Sequence, residues 1–135
     1  MNAFIVDLKN KPGELAKVTE AIAAKGIDIT GFSGATCSDT GTVALLTNDD
    51  AGTRRVLTDG HWTYRPIELV TASLADKPGT LAQVTRRLAN AGINIEAAVQ
   101  TGMSGGNVHV GFVTDNPTKA KEALGDALLE AAYSR

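Results

Sequence analysis

The sequence predicts an α+β fold of two tandem βαββαβ modules, each an antiparallel sheet with its helices on one face. The first observation is a repeat: residues 11–19 return as residues 77–85, at an offset of 66. Over the twenty residues that start at Lys11 and at Lys77, eleven positions are identical. The second observation is that, in both copies, an apolar period of two residues changes to one of about 3.6. Such a repeat indicates that one small domain is duplicated.

A strand and a helix open each module, and the modules are predicted to span residues 1–66 and 67–135. Apolar residues alternate along residues 3–8, as in a half-buried strand. Pro12 ends this strand because it has no N–H for the ladder, and its fixed φ suits the start of a helix. The apolar residues that follow share one helical face: Leu15, Val18 and Ile22 in the first copy, and Leu81, Val84 and Leu88 in the second.

A second strand, a turn and a third strand follow each helix. Gly26 and Gly92 stand where a helix commonly ends in the left-handed conformation. The β-branched residues that open the second strands are Ile27 and Ile29, and Ile93 and Ile95. The predicted boundaries are Cys37 and Thr101 for the ends of these strands, residues 38–41 and 104–106 for the turns, and residues 42–47 and 107–114 for the third strands.

A second helix completes each copy, at residues 50–59 and 118–132. In the first copy, residues 61–65 form a short fourth strand, and Pro66 marks the junction before the next copy starts at Ile67. The order is that of a ferredoxin-like module. Too few residues follow the last helix for a full strand. The fourth strand of the second module is therefore missing, which leaves an open edge, or it is borrowed from another segment or subunit.

Composition and charge exclude several classes of partner. The net charge is −2 and the isoelectric point is near 5.6, so the chain has no basic surface for nucleic acid or a membrane. No segment has the roughly 20 apolar residues of a membrane span. The first residues lack the basic and apolar regions of a signal peptide. A cytoplasmic protein is expected.

Side chains with catalytic or metal-binding chemistry are few and scattered. Cys37 is the single cysteine, and it is predicted to be a small buried or half-buried residue. His109 aligns with Val43 at the offset of 66 and is predicted to face the helix-free side of the sheet. Neither His109 nor His61 has the spacing of metal ligands or a nucleophile placed by a motif. No catalytic residue, metal or cofactor is predicted.

The repeated motifs resemble those of the ACT domain, a small ligand-binding regulatory module of βαββαβ form. The resemblance rests on Asn-Lys-Pro-Gly-Glu-Leu-Ala at residues 10–16 with Gly-Ile-Asp-Ile at 26–29. The second copy has Asp-Lys-Pro-Gly-Thr-Leu-Ala at residues 76–82 with Gly-Ile-Asn-Ile at 92–95. It covers nearly the whole chain and implies a free-standing tandem ACT protein, a non-enzymatic regulator that binds an amino acid or similar small metabolite.

The resemblance also implies where the ligand lies. In many ACT domains it lies at an interface between modules or subunits, between the loop before one helix and the start of another module's second strand. The matching positions are Asn10, Pro12, Gly13, Glu14, Leu15, Asp28 and Ile29 in the first copy, and Asp76, Pro78, Gly79, Thr80, Leu81, Asn94 and Ile95 in the second.

The chemistry of these positions suits an amino acid. The N–H groups of a first helical turn favour a carboxylate, and glycine lets it approach the backbone. Asparagine and aspartate side chains can orient the ammonium group. If modules pair loop to strand, Asn10 with Asn94 gives the better site, because Asp76 with Asp28 would place two like charges together. The same loop side chains also suit a second interpretation, hydrogen bonds within the turn.

Three functions stay open from the sequence. The first is a regulator that changes its association with a partner enzyme or regulator protein. The second is a structural oligomerisation module, and the third is a small ferredoxin-like enzyme, for which no clustered acid, base or nucleophile is found. A domain of about 60 residues buries only about 60% of its unfolded surface, so each module gains stability from packing on a partner. A homodimer is expected.

Overall fold

The computed structural model describes residues 1–133, with side chains described for residues 1–125. The chain forms two compact units, the first module Met1–Ile67 and the second module Glu68–Arg135. The elements in chain order are β1 Asn2–Lys9, α1 Glu14–Ala23, β2 Ile29–Cys37, β3 Thr40–Thr47, α2 Asp50–Asp59, β4 Tyr64–Ala75, α3 Thr80–Asn90, β5 Ile95–Ser104, β6 Asn107–Thr114 and α4 Pro117–Tyr133.

The first module has the strand order β2-β3-β1-β4. Strand β3 pairs antiparallel with β1 and with β2, so that Leu45 lies opposite both Phe4 and Phe32. Both helices pack on one face of the sheet, as predicted. The buried core of this module consists of Phe4, Val6, Val18, Ile22, Ile27, Val43, Leu45, Val56 and Leu57.

The second module has the strand order β4-β6-β5, and β6 pairs antiparallel with both neighbours. Its core consists of Val70, Ala72, Leu74, Val84, Leu88, Ile93, Val110, Phe112, Ala120 and Leu124. No strand follows α4 within the described residues, and residues 134–135 lie outside them. Three strands are therefore described in the second module, where a complete module would have four.

Strand β4 corrects the predicted junction between the copies. The predicted short strand over residues 61–65, ended by Pro66, does not form. Tyr64–Ala75 is one strand that contains Pro66 and continues past Ile67. His61 lies before it, in a turn with a φ of 60°. Proline interrupts a sheet only where its missing N–H is needed in a ladder, so a single proline does not end this strand.

A one-residue bulge corrects the alignment of the copies. The pairing of β5 with β6 shifts between Gln100 and Gly102, so β5 is longer than predicted and ends at Ser104. Thr101 is the extra residue, and the offset becomes 67 beyond it. His109 therefore lies opposite Ser73, as Thr42 lies opposite Asp7, and it is not the equivalent of Val43.

The glycines predicted to end α1 and α3 have the left-handed conformation. Gly26 and Gly92 have φ values of 71° and 74°. The N–H groups of Ile27 and Ile93 donate to helix carbonyls at 3.4 and 3.0 Å, so these residues close the helices. The second strands therefore begin two residues later than predicted, at Ile29 and Ile95.

One further prediction is wrong. Cys37 is exposed, not buried or half-buried, because it ends β2 beside the hairpin turn. Helix α4 agrees with its predicted bounds to within one residue at each end, but it is interrupted at Gly125, which has a φ of 49° and a ψ of 169°, a conformation that glycine tolerates. The Arg87 side chain donates to the Ala123 carbonyl just before this break. None of the described helices is both long and apolar enough to cross a membrane.

Candidate functional site

The N-termini of α1 and α3 are built differently from those of α2 and α4. The Asp49 side chain accepts a hydrogen bond of 2.9 Å from a first-turn N–H of α2, and Asn116 accepts one of 3.0 Å in α4. Such side chains cap a helix. In the described part of the chain, no side chain caps α1 or α3, whose N-cap residues are Gly13 and Gly79. In α1 the Glu14 N–H donates to the Lys11 carbonyl at 3.4 Å, and the other first-turn N–H groups are left for water or a ligand.

Gly13 and Gly79 leave open space over the backbone at these two helix ends. Their φ values are 88° and 93°, in the left-handed region that favours glycine. A Cβ built on either residue meets no atom within 4 Å. Pro12 and Pro78, which precede them, are exposed. A ligand can therefore approach the backbone at both loops.

The loops are anchored to the hairpin turns of their own modules. In the first module, the Asn10 backbone N–H donates to the Asp39 carbonyl at 2.9 Å, and its side-chain Nδ2 donates to the Ser38 carbonyl at 2.8 Å. In the second, the Asp76 N–H donates to the Gly106 carbonyl at 3.0 Å. The amide nitrogen of Asn10 thus serves the turn, while its Oδ1 points to no hydrogen-bond donor in the described residues.

The first residue of each helix differs between the loops. The Glu14 carboxylate, with a side chain only 14% exposed, lies 3.7 Å from the Lys11 Nζ and 3.4 Å from the Lys17 Nζ. The Thr80 hydroxyl instead donates to two backbone carbonyls, at 2.8 and 3.2 Å, and is buried. We define the two loop regions as residues 10–17 and 76–83, which include the first turn of the helix. The charged residues of the first are Lys11, Glu14 and Lys17, and those of the second are Asp76 and Lys77. The first loop therefore carries a net positive charge, and the second carries none.

The starts of the second strands involve two residues that the motif comparison missed. The Asp28 N–H donates to the Asn48 Oδ1 at 3.0 Å, and the Asn48 N–H returns a bond of 3.1 Å to the Asp28 carbonyl. The Asn94 N–H donates to the Asp115 Oδ1 at 3.0 Å, with a return bond of 3.2 Å. Each strand start thus has one carboxylate, from Asp28 or from Asp115. The sequence carries a signal for this, because the first copy has Asp28 with Asn48 and the second has Asn94 with Asp115.

An apolar groove of about 500 Å³ brings two of the predicted site residues together in the first module. Its lining consists of Leu15, Ala16, Thr19, Ile29, Phe32, Val43 and Leu45. Leu15 is 49% exposed, and its counterpart Leu81 is 53% exposed. Both leucines start the predicted apolar faces of their helices, but the buried positions that follow on these faces begin one turn later, at Val18 and Val84. In the first module, Leu15 borders the open groove.

The remaining candidates lie elsewhere. Ile95 is half-buried against the core of the second module. The His109 Nε2 is 2.6 Å from the Ser104 hydroxyl at the end of the β5–β6 hairpin. Within the described residues, no three side chains of His, Cys, Asp or Glu are grouped as metal ligands. A hydrogen bond from Lys121, together with its charge, lowers the pKa of Glu68 at the surface.

Comparison with known proteins gives a family match over part of the chain and a shared fold. The family model described as ACT domain matches residues 69–126. A crystal structure of a protein from Bacteroides thetaiotaomicron is 27% identical, with a TM-score of 0.78, and the match covers 91% of this chain and 85% of that one. No curated protein matches the chain.

Structures described as the regulatory subunit of aspartate kinase have the same fold. The ligand-free form from Thermus thermophilus is 20% identical, has a TM-score of 0.67 and is matched over 98% of this chain and 92% of that one. The subunit from Thermus flavus is 21% identical, has a TM-score of 0.63 and is matched over 98% and 91%. The two-module ferredoxin-like architecture is thus shared, and the family match places residues 69–126 within it. Within the chain, residues 69–126 of the second module match the ACT domain family.

Proposed function

We propose that the protein is a non-enzymatic regulatory protein that binds an amino acid or a similar small metabolite. Ligand binding changes its association with a partner, which is an enzyme or a regulator protein. The aspartate kinase regulatory subunits share the fold, and their described role supports a regulated enzyme as the partner. The Ser104–His109 pair does not favour an enzyme, because it lies at an exposed hairpin end and not in a cleft.

The observation that carries this proposal is the contrast between the four helix starts. Helices α2 and α4 are capped by their own side chains, whereas α1 and α3 begin at a left-handed glycine with open space above it. The same arrangement occurs in both modules. Uncapped N–H groups at a helix start favour a carboxylate ligand, which every free amino acid carries.

The charges support one combination of loop and strand start. The first loop is net positive and suits the carboxylate of the ligand. The start of β5 suits the ammonium group, because the Asn94 side chain is exposed and the Asp115 carboxylate lies beside it. We assign the site to the first loop of one subunit and the β5 start of another. The alternative, the loop at Asp76 with the β2 start at Asp28, has the same number of carboxylates but lacks the second lysine of the first loop, because Gln83 stands where Lys17 does.

A thermal-shift screen of the common amino acids tests ligand binding. A ligand at about one hundred times its dissociation constant raises the free energy of unfolding by about 2.7 kcal/mol, which is readily measured. If no amino acid at millimolar concentration changes the melting temperature, the proposal is wrong in its ligand class.

Calorimetric titration of three variants then tests the assignment. Asn94→Ala is expected to abolish binding, and Asp28→Ala is expected to spare it. Asp115→Asn is the sharpest variant, because Asn48 makes the same hydrogen bond in the first module, so that only the charge is lost. It is expected to weaken binding about 10-fold or more, as for loss of one charge-assisted hydrogen bond. Loss of binding in Asp28→Ala alone would reverse the assignment.

A further inference from the structure

The apolar groove of the first module has a wall that depends on a bulge in β2. Side chains alternate along a strand, so Ile29 and Phe32, three residues apart, would ordinarily face opposite sides of the sheet. The pairing of β2 with β3 shifts between Ile29 and Gly31, and the extra residue, Thr30, brings both apolar side chains to the groove. Phe32 is 68% exposed there. The strand therefore presents two apolar side chains to a groove that its own module leaves open.

The side chains of the groove leave no hydrogen-bond donor for a polar ligand group. Six of the seven lining residues have apolar side chains, and Thr19 is the seventh. The Thr19 hydroxyl has one hydrogen, which it donates to the carbonyls of Leu15 and Ala16, each 3.1 Å away. A polar group that is buried without a partner costs free energy, so the groove favours an apolar side chain over a polar one of the same shape.

The groove is continuous with the start of α1. Leu15 and Ala16 line the groove, and in the described part of the chain no acceptor reaches their backbone N–H groups. The groove therefore has backbone donors at one end and apolar side chains along the rest, as a pocket for a small molecule with one charged end has. Its volume of about 500 Å³ lies within the range of roughly 300–1,000 Å³ that is typical of such pockets.

We infer that this groove takes the side chain of the amino acid ligand and selects a large apolar one, as in leucine, isoleucine, methionine or phenylalanine. The inference rests on the proposed function, which places the ligand carboxylate at the start of α1. From there the ligand side chain lies along the groove and covers the exposed surfaces of Leu15 and Phe32. Each CH₂ group that is buried in this way raises the affinity about fourfold.

The second module does not repeat this wall. Ala98 lies opposite Phe112 in the second module, where Phe32 lies opposite Leu45 in the first. Phe112 is fully buried in the core of its module, whereas Phe32 is exposed beside the groove. Each pair thus has one aromatic residue, but only in the first module does it stand on the outer strand. Selection of an apolar side chain is therefore expected at the site that uses the first loop.

The first experiment is calorimetric titration of the full chain with leucine, with asparagine as its polar counterpart of similar shape, and with alanine. Leucine is expected to bind at least about 30-fold more tightly than either, because its side chain buries three more carbon atoms than that of alanine and no polar group. If amino acids bind without this preference, the inference is overturned and the proposed function stands. If no amino acid binds, the proposed function is wrong and the inference falls with it.

The second experiment locates the ligand side chain with two groove variants. Phe32→Ala removes part of the wall, and Ala16→Leu fills the groove while keeping the backbone N–H group. Each is expected to weaken leucine binding about 10-fold or more and to leave alanine binding within about twofold. The matched control is Ala82→Leu, the same substitution at the equivalent position of α3, which is expected to change neither.

Two results of these titrations would overturn the inference. One is leucine binding that neither groove variant changes, which would place the ligand side chain elsewhere. The other is equal weakening of leucine and alanine, which would show that the variants disturb the whole site and not a pocket for the side chain. Sedimentation equilibrium without ligand adds a third: a groove variant that changes the assembly state while leucine keeps its preference over alanine would show that a second copy of the chain covers the groove.

Discussion

Replacing Gly13 with alanine separates backbone strain from ligand binding. Gly13 has a φ of 88°, and an alanine held there costs about 1–2 kcal/mol. The new Cβ meets no atom within 4 Å, so no steric clash adds to this cost. The free energy of unfolding should fall by that amount, which corresponds to a decrease in melting temperature of about 3–8 °C. Scanning calorimetry measures it.

The same methyl group occupies the open space through which a ligand carboxylate would reach the first-turn N–H groups of α1. Loss of one charge-assisted hydrogen bond is worth about 1.5–3 kcal/mol, so the affinity for the amino acid should fall about 10- to 150-fold. Isothermal titration of the folded variant, well below its melting temperature, measures this loss.

Gly79→Ala is the matched control, since Gly79 has a φ of 93° and equally open space. It should cost the same stability and spare binding, because the second loop lacks the net positive charge. Binding within about twofold of the wild type in Gly13→Ala would refute the reasoning, since a tenfold change needs only 1.4 kcal/mol. Loss of binding in Gly79→Ala alone would place the carboxylate at the other loop.

Two further predictions concern stability. Leu88→Ala removes a fully buried side chain and should lower the free energy of unfolding in urea by about 2–5 kcal/mol. Leu81→Ala, on the same helix but 53% exposed, should change it by about 0.5 kcal/mol or less. Similar costs for the two variants would show that Leu81 is buried in solution. Glu68→Gln should lower the melting temperature slightly near neutral pH, because Lys121 holds the pKa of Glu68 in the folded protein below its ordinary 4.5. The stabilisation exists above that value and is lost as the pH falls through the folded pKa. A difference from the wild type that grows in acid would contradict this.

The elements that the sequence predicts most accurately are those with a purely local signal. Helix α2 spans Asp50–Asp59 and strand β6 spans Asn107–Thr114, both as predicted, because an N-cap residue and a two-residue apolar period are read from neighbouring positions. The merging of two predicted strands into β4 and the bulge at Thr101 have no such signal. Both depend on how the strand pairs with neighbours that are distant in sequence.

The candidate site divides in the same way. The glycine at each helix start could be predicted from the repeated motif, because a left-handed residue there is a local requirement. The exposure of Leu15 could not, since a helical face is assigned to the core without knowing where the sheet ends. The partners Asn48 and Asp115 were missed because they follow the third strand and reach the second strand only in the folded sheet.

Those two partners change what the difference between the copies means. Comparing motifs alone makes the β2 start acidic and the β5 start neutral, because Asp28 stands where Asn94 does. With Asn48 and Asp115 included, each strand start has one carboxylate. Each loop likewise has one carboxylate, which is Glu14 in the first loop and Asp76 in the second.

The difference in charge that remains between the two loop regions lies at one position, which is Lys17 in the first copy and Gln83 in the second. The Lys17 Nζ lies 3.4 Å from the Glu14 carboxylate at the start of α1, so its positive charge is placed at the uncapped helix end. We therefore expect the proposed preference of a carboxylate for the first loop to depend on this lysine, and not on the exchange of asparagine and aspartate. In the proposed site, the Asn/Asp exchange sets which atoms contact the ammonium group, and Lys17 sets which loop receives the carboxylate.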